Sequence, residues 1–263
     1  MSITIPNGGI NLLPCRFGPM FYPRGDAYVG RSLELLGEYS ATEAEVFAML
    51  LRAGDVVVEA GANIGAHTVP LARLVGPTGR VIAFEPQRPL ELILSANVLI
   101  NDLENVAVER AAIGAVPGTT AVPVVSLSAE ANFGGVSLGE GEPVPLVSID
   151  SLALTSLRLL KVDVEGFERE VVEGAARTIR SHRPALYLEN DRRHLSPDLI
   201  RTVRALDYRM WWHVAPFYTQ PNFRQAANPF GTLVSLNMLC LPAEAHAAIS
   251  GMREVAGDDD WPV

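Results

Sequence analysis

A glycine-rich loop at residues 59–65, with the sequence EAGANIG, constrains this chain more than any other feature, because a buried strand runs directly into it. The apolar run at 56–59 precedes the loop, and helical spacing resumes at 67–75. A glycine turn between a strand and a helix lets a ligand approach the backbone, and the helix N-terminus offers free amide hydrogens. The loop therefore predicts a ligand site at the carboxyl end of its strand.

Strand and helix patterns alternate along most of the chain. Short apolar runs predict strands at 56–59, 81–84, 106–109, 159–164, 185–189 and 233–241, together with an aromatic run at 210–218. Helical spacing predicts helices that begin at Ser40 and at Ser196, and others at 67–75, 90–99 and 167–181. Ser40 and Glu43 have the spacing of a capping box. The repeated βαβ order predicts an α/β fold with a parallel sheet and helices on both faces.

The 263 residues are enough for one large domain with a full hydrophobic core but too few for two large domains. Apolar residues make up 48% and aromatic residues 7%, which favours an aliphatic parallel sheet over a β-sandwich. We expect a single domain at 1–263, with an N-terminal extension and helix at about 1–53. A stretch rich in Gly and Pro predicts a β-rich insertion at about 115–149.

Charge and composition exclude several partners. A net charge of -9 argues against nucleic acid, because phosphate-binding surfaces need clustered Lys and Arg. The N-terminus lacks a signal-peptide pattern, and no apolar run approaches the roughly 20 residues that span a bilayer. Cys15 and Cys240 lie far apart and show no ligand spacing, so free thiols are expected. These features predict a cytoplasmic protein without a membrane partner.

The ligand at the loop is expected to contain adenosine. Glu85 ends the next strand, where a carboxylate accepts hydrogen bonds from both ribose hydroxyls. The loop spacing is G-x-N-x-G, from Gly61 through Asn63 to Gly65, and lacks the G-x-G-x-x-G order on which a dinucleotide pyrophosphate lies. A nicotinamide cofactor is therefore the weaker interpretation.

Three motifs resemble those of the FkbM-type methyltransferases: EAGANIG at 59–65, AFEP at 83–86 and KVDVEG at 161–166. The resemblance runs from 37–40 through 132–135 to 235–238 and leaves 1–30 uncovered. It implies a class I methyltransferase fold, a Rossmann-like three-layer sandwich with a mostly parallel seven-stranded sheet. It also implies S-adenosylmethionine as methyl donor, S-adenosylhomocysteine as product, and a hydroxyl acceptor on a small molecule, sugar or secondary metabolite.

The resemblance also implies which residues bind the donor. The glycine loop would line its methionine end, Glu85 its ribose and 110–112 its adenine, while Tyr39 and Glu43 would reach its amino acid moiety. Taken position by position, the donor-binding residues would be Tyr39, Glu43, Glu59, Gly61, Asn63, Gly65, Thr68, Glu85, Pro86, Arg110, Ala111, Ala112 and Asp163.

An alcohol that accepts a methyl group must lose a proton, so a base is expected near the methyl. Asp163 ends the strand beside the first one, which aims its carboxylate at the cofactor. A structural alternative exists for Asp163 and Glu165: one caps the following helix, and the other pairs with Lys161 or Arg169. We assign Asp163 to the site and leave Glu165 open between site and turn.

His213 lies in the aromatic run and is the predicted general base, since an ordinary histidine pKa of about 6.5 suits proton uptake near neutrality. The alternative is a half-buried strand histidine with bonded ring nitrogens. The aromatic run itself either roofs an acceptor pocket or packs in the core.

The side chains at 189–191, together with Asp163, offer oxygen ligands that could hold a divalent cation such as magnesium or calcium. Metal dependence therefore stays open, although we expect a metal-free mechanism. The runner-up functions are a small-molecule N-methyltransferase, an NAD(P)-dependent oxidoreductase on a similar sheet, and a silent protein that retains the fold. N-methylation ranks below O-methylation because DVEG stands at 163–166, where many amino methyltransferases carry an Asn/Asp-Pro-Pro-aromatic segment. The acceptor's identity and the presence of a homo-oligomer stay open.

Overall fold

A computed structural model describes residues 3–4, 9–127, 130–245 and 249–262. Residues 1–2 and 5–8 of the expected N-terminal extension, and 128–129 of the expected insertion, lie outside the described residues.

The described elements follow one another in an alternating order. The strands are β1 (Ile3–Thr4), β2 (Ile10–Cys15), β3 (Gly18–Pro23), β4 (Val56–Ala60), β5 (Arg80–Phe84), β6 (Val106–Glu109), β7 (Ala112–Ile113), β8 (Gly118–Val122), β9 (Glu142–Val147), β10 (Leu159–Val162), β11 (Ala185–Glu189), β12 (Tyr208–Pro216), β13 (Val234–Pro242) and β14 (Arg253–Glu254). The helices are α1 (Val29–Leu35), α2 (Ala41–Leu50), α3 (Thr68–Val75), α4 (Arg88–Ile100), α5 (Glu168–Glu173), α6 (Ala176–His182) and α7 (Ser196–Arg204). Short 3-10 turns at Ile149–Leu152 and Ala243–Ala245 complete them.

The central sheet is mostly parallel and has the order β14-β12-β13-β11-β10-β4-β5-β6. Strands β11, β10, β4, β5 and β6 run parallel, and β13 runs antiparallel to both of its neighbours. The sheet has eight strands where seven were expected, because the two-residue β14 pairs with the outer edge of β12. A strand of two residues is too short to show a periodic sequence pattern, so β14 could not be predicted. Ion pairs such as that of Arg209 with Glu254 at 2.9 Å hold it against β12.

Helices cover both faces of the sheet and bury two apolar cores. Side chains alternate along each strand, so Val57 enters the core with α2 and α3, and Val58 enters the core with α5, α6 and α7. Leu159 and Leu160 on β10 divide in the same way. This burial on both faces explains why the parallel strands appear as continuous apolar runs. The expected α/β sandwich is confirmed.

The N-terminal hairpin β2–β3 packs against α4 and the glycine loop. Asn97 on α4 accepts a hydrogen bond from the Phe21 backbone at 2.6 Å and donates to the carbonyls of Phe21 at 2.9 Å and Ile64 at 2.7 Å. One buried amide therefore ties the hairpin to the loop, and α1, which follows the hairpin, lies beside the ligand site.

Strands β8 and β9 lie within the range of the predicted insertion, pair antiparallel, and join β7, which precedes that range, in a small separate sheet of order β7-β9-β8. The longest described helix, α4, has 13 residues, and none of the helices in the described ranges is long and apolar enough to cross a bilayer.

Three local predictions differ from the structure. The helix predicted at 167–181 is two helices, because Gly174 packs so closely on the Gly114 carbonyl that a Cβ there would lie 2.1 Å from it. Ser40 has φ +41°, and its hydroxyl donates to the Glu43 carboxylate at 2.6 Å. The two side chains therefore bond each other, and not the backbone amides as in a capping box. The cap before α7 is Leu195, and Ser196 is its first helical residue.

Candidate active site

A cavity of about 270 Å³ opens at the carboxyl ends of the central strands. Six carboxyl side chains line it, and Lys161 is the sole Lys or Arg among the described lining residues. The acids are Glu59, Glu85, Asp163, Glu165, Glu189 and Asp191. Such a wall favours ligands that carry positive charge or hydroxyl donors over anions.

The glycine loop is pressed between the neighbouring strands. The backbone amides of Gly61 and Ala62 donate to the Phe84 carbonyl at 3.0 and 2.9 Å. Gly61 has φ +81°, and a Cβ at this position would lie 1.7 Å from the Asp163 carbonyl oxygen. The close approach of two strand ends therefore requires glycine here, and it places the loop beside Asp163.

Glu85 lies beneath the loop and is 4% exposed. Its Oε2 accepts a hydrogen bond from the Asn63 amide and its Oε1 one from the Gln87 amide, each at 2.9 Å. Burial raises the pKa of the Glu85 carboxyl to about 7. Each oxygen keeps a second lone pair, so the side chain is held in one orientation and can still accept ligand hydrogen bonds.

A smaller cavity of about 40 Å³ adjoins the first. Gly61, Glu85, Gly134, Asp163 and Glu165 line both cavities, so the two cavities lie side by side. Mostly apolar side chains form the remaining wall of the smaller one: Phe84, Pro86, Ala111, Ala112, Ile113, Val136, Leu138 and Val164, with Gln87. This narrow apolar slot suits a flat ring.

Lys161 is the only lysine of the chain. Its Nζ lies 3.4 Å from Asp163 Oδ2 and 3.6 Å from Glu59 Oε1, and its side chain is 3% exposed. Burial alone would lower the pKa of Lys161, but the carboxylates of Asp163, Glu59 and Glu43 raise it above the ordinary value. Lys161 is thus a permanent cation between two acids.

Glu59 and His67 both line the cavity, and each has a buried polar atom that makes no hydrogen bond with the described residues. Glu59 Oε2 accepts from Thr68 Oγ1 at 2.6 Å, whereas Oε1 has no such bond. Burial, with a smaller contribution from Lys161, lowers the pKa of His67 well below its usual range. Its Nε2, 3.9 Å from Glu43 Oε2, is therefore uncharged and unbonded.

Aromatic rings form the wall on the side of α1 and β12. Tyr28, Tyr39 and Phe217 all line the cavity. The ring of Phe217 lies edge-on to Tyr28 at 5.7 Å and to Tyr39 at 5.9 Å between centroids. The aromatic run thus contributes Phe217 to the cavity, while Trp211 and Trp212 are buried in the two cores.

The structure brings most of the sequence-predicted residues to these two cavities. Those that line one or both are Tyr39, Glu59, Gly61, Asn63, Glu85, Pro86, Ala111, Ala112 and Asp163. Others support the lining residues from behind: Thr68 bonds Glu59, and Glu43 lies against His67. Gly65 has φ +87° and packs on Leu94. Their roles in donor binding stay predictions.

Arg110 and His213 are not among the described residues that line either cavity. Arg110 points to the insertion sheet, where it pairs with Glu142 at 2.7 Å. His213 Nδ1 lies 2.6 Å from the Tyr187 hydroxyl, and burial lowers the pKa of His213. The structure therefore does not bring His213 to Asp163, and its position matches the alternative of a strand histidine with a bonded ring nitrogen.

Sequence reasoning did not place Lys161 or His67 in the site. A lysine inside a buried strand, in a chain that otherwise uses arginine, was an available signal for the first. His67 lies two residues after the end of the glycine loop, and no sequence motif around it indicates a role in the site.

The chain matches the methyltransferase FkbM domain over residues 59–210, more than half of its length. No curated protein matches it.

Solved structures of methyltransferases are similar to this chain. The methyltransferase FkbM from Methylobacillus flagellatus is 20% identical, with a TM-score of 0.46, over 75% of this chain and 50% of that one. An S-adenosylmethionine-dependent O-methyltransferase from Thermotoga maritima is 15% identical, with a TM-score of 0.48, over 76% and 64%. Trm5b from Pyrococcus abyssi is 12% identical, with a TM-score of 0.50, over 89% and 56%. At such identities the likeness concerns the fold.

Proposed function

The chain belongs to the methyltransferase FkbM domain family and is an S-adenosylmethionine-dependent methyltransferase, and on that premise we propose that it methylates a hydroxyl group of a small molecule or glycan. The supporting observation is the wall of six carboxyl side chains around the larger cavity. An alcohol must give up a proton as it is methylated, and a carboxylate can accept it.

The residues of the two cavities fit the donor. S-adenosylmethionine supplies an electrophilic methyl group on a sulfonium, and it also carries an ammonium. Glu59 and His67 line the larger cavity, and Glu59 Oε1 and His67 Nε2 make no hydrogen bond with the described residues, so they can accept hydrogen bonds from the ammonium. Glu85 lines both cavities, so it would bind the ribose between them, with the adenine in the slot beside Ala111 and Ala112. Asp163 also lines both cavities, which suits a residue close to the methyl group.

The acceptor would enter from the side of the aromatic wall. Tyr28 and Phe217 offer ring faces and edges to a sugar ring or an apolar metabolite. An anionic acceptor is disfavoured by the carboxylates of Asp163, Glu165 and Glu189.

We expect the reaction to proceed without a divalent metal. One oxygen each of Asp163, Glu165 and Glu189 lies within 4.8 Å of the others. Two of these carboxylates already have cations, because Lys161 pairs with Asp163, and Arg192 pairs with Glu165 at 2.7 Å. Turnover is therefore expected to survive a chelator.

The function is tested by incubating the protein with methyl-deuterated S-adenosylmethionine and pooled metabolites and glycans. Mass spectrometry should find the labelled methyl on oxygen, with and without a chelator present, and excess S-adenosylhomocysteine should suppress the signal. Label found on nitrogen alone would overturn the hydroxyl assignment.

Replacing Glu85 with alanine should weaken donor affinity by roughly 5- to 150-fold, because a buried hydrogen-bonding partner contributes about 1–3 kcal/mol. Calorimetric titration with S-adenosylmethionine measures the change. Glu109→Ala is a matched control, since Glu109 ends the neighbouring strand β6 with an exposed side chain. Equal affinities in the two variants would contradict the assignment of Glu85.

Donor affinity should rise as the pH increases from 6 to 8. Burial raises the pKa of free Glu85 to about 7, so part of the population is protonated at neutrality. A cationic donor with ribose hydroxyls favours the ionised carboxylate, and binding therefore releases a proton. Calorimetry in two buffers of different ionisation enthalpy counts the released protons. Proton uptake on binding would contradict this account.

A further inference from the structure

Among the acids of the larger cavity, Glu189 is the one without a hydrogen-bond or ion-pair partner in the described part of the chain. It ends β11, and its neighbour in the antiparallel register is the uncharged Asn237. Its Oε2 is shielded from solvent and makes no hydrogen bond with the described residues. An unpaired carboxylate oxygen in such a place is costly, so a group that binds in the cavity is expected to use it.

Two carboxylates close to Glu189, those of Asp163 and Glu165, have a cationic partner, which Glu189 lacks among the described residues. Asp163 follows β10, the strand beside β11, and its Oδ2 lies 3.4 Å from the ammonium of Lys161. Glu165 accepts a hydrogen bond from Arg192 at 2.7 Å. When neighbouring acids have such different surroundings, the one without a cation is suited to take a proton.

We propose that Glu189 is the general base that accepts the proton of the acceptor hydroxyl. The assignment rests on the proposed hydroxyl methylation. The acceptor oxygen forms a bond to the methyl carbon, the carbon–sulfur bond breaks with its electron pair remaining on sulfur, and the hydroxyl proton moves to the Glu189 carboxylate. Charge balances, because the sulfonium becomes a neutral thioether while the carboxylate becomes a neutral acid.

The electrostatic surroundings of Glu189 support this role. Burial, followed by repulsion from Asp163, raises its pKa well above the usual range. The ionisable groups that face it are Asp163, Asp191, Glu165 and Glu168, together with Tyr39. The nearby cations, Lys161 and Arg192, are each bound to another acid. A base with a raised pKa is a stronger proton acceptor once it is ionised.

Glu189→Gln tests the proposal with little change in shape. With the acceptor found by the labelling experiment, kcat should fall by about 10²- to 10⁴-fold. The dissociation constant of S-adenosylmethionine should change little. The acidic limb of the wild-type profile of kcat/KM against pH, on which the rate rises as Glu189 ionises, should disappear. Glu173→Gln, on the exposed surface of α5, is the control and should behave as wild type.

A second measurement does not depend on turnover. The pKa of Glu189 is raised on folding, so its contribution to stability is present at low pH and is lost as the pH rises. Glu189→Gln removes that loss and should be more stable than wild type at pH 8. A residue with only a structural bonding role would show the opposite.

The outcomes separate the two proposals. A wild-type enzyme that labels only nitrogen would overturn both hydroxyl methylation and this role of Glu189. A wild-type enzyme that labels oxygen, with a Glu189→Gln variant of unchanged kcat and pH profile, would overturn the role of Glu189 alone. Loss of the acidic limb in Glu165→Gln and its retention in Glu189→Gln would also overturn it.

Discussion

Replacing Gly61 with alanine is expected to destabilise the protein by about 2–5 kcal/mol and to abolish donor binding. The added Cβ would lie 1.7 Å from the Asp163 carbonyl oxygen and 2.8 Å from the carbonyl carbon. Both are backbone atoms at a strand end, so they cannot rotate away as a side chain could. The φ of +81° adds the cost of a left-handed conformation. Separation of the loop from Asp163 would open the space in which the donor lies.

Urea denaturation and calorimetric titration measure the two effects. Gly118→Ala is the control, because no atom lies within 4 Å of a Cβ at this exposed position of β8. The free energy of unfolding of the control variant should stay within about 0.5 kcal/mol of that of the wild type. A Gly61→Ala protein with wild-type stability and donor affinity would show that the loop is not pressed against β10.

Lys161→Met is expected to destabilise the protein by about 3–5 kcal/mol, because removing one partner of a buried ion pair leaves an uncompensated charge. Here Glu59 and Asp163 would both lose their nearest cation. Methionine fills a similar volume, so the loss reports mainly on charge. Urea denaturation measures it, with the exposed Arg180→Met on α6 as the control.

The destabilisation should shrink as the pH falls from 8 to 5. Burial already raises the pKa of Glu59, and removal of Lys161 raises it further. A carboxyl whose folded pKa is raised stabilises the fold at low pH and loses that contribution as the pH rises. A Lys161→Met deficit that is constant across this range would contradict the assignment of Lys161 as counter-ion.

Local sequence patterns were sufficient to predict the strand, loop and helix around Gly61 and the position of Glu85. Both depend on neighbours within one βαβ unit, whose geometry varies little. Asp163 could be placed as well, because it ends the strand that lies beside β4 in a sheet of this order.

Features that depend on distant contacts could not be predicted. The break between α5 and α6 comes from the backbone at Gly114, and Arg110 turns toward Glu142 on the insertion sheet. An ordinary histidine pKa favours His213 as a base, but the hydroxyl of Tyr187, on another strand, lies 2.6 Å from its Nδ1. Side-chain direction at a strand end is set by tertiary packing, which one sequence does not encode locally.

The account depends most on the identity of the ligand bound between the glycine loop and Glu85. Calorimetric titration of the wild-type protein with S-adenosylmethionine and, separately, with NAD tests it directly. We predict saturable binding of S-adenosylmethionine at one site per chain and no binding of NAD. Binding of NAD in preference to S-adenosylmethionine would contradict the account.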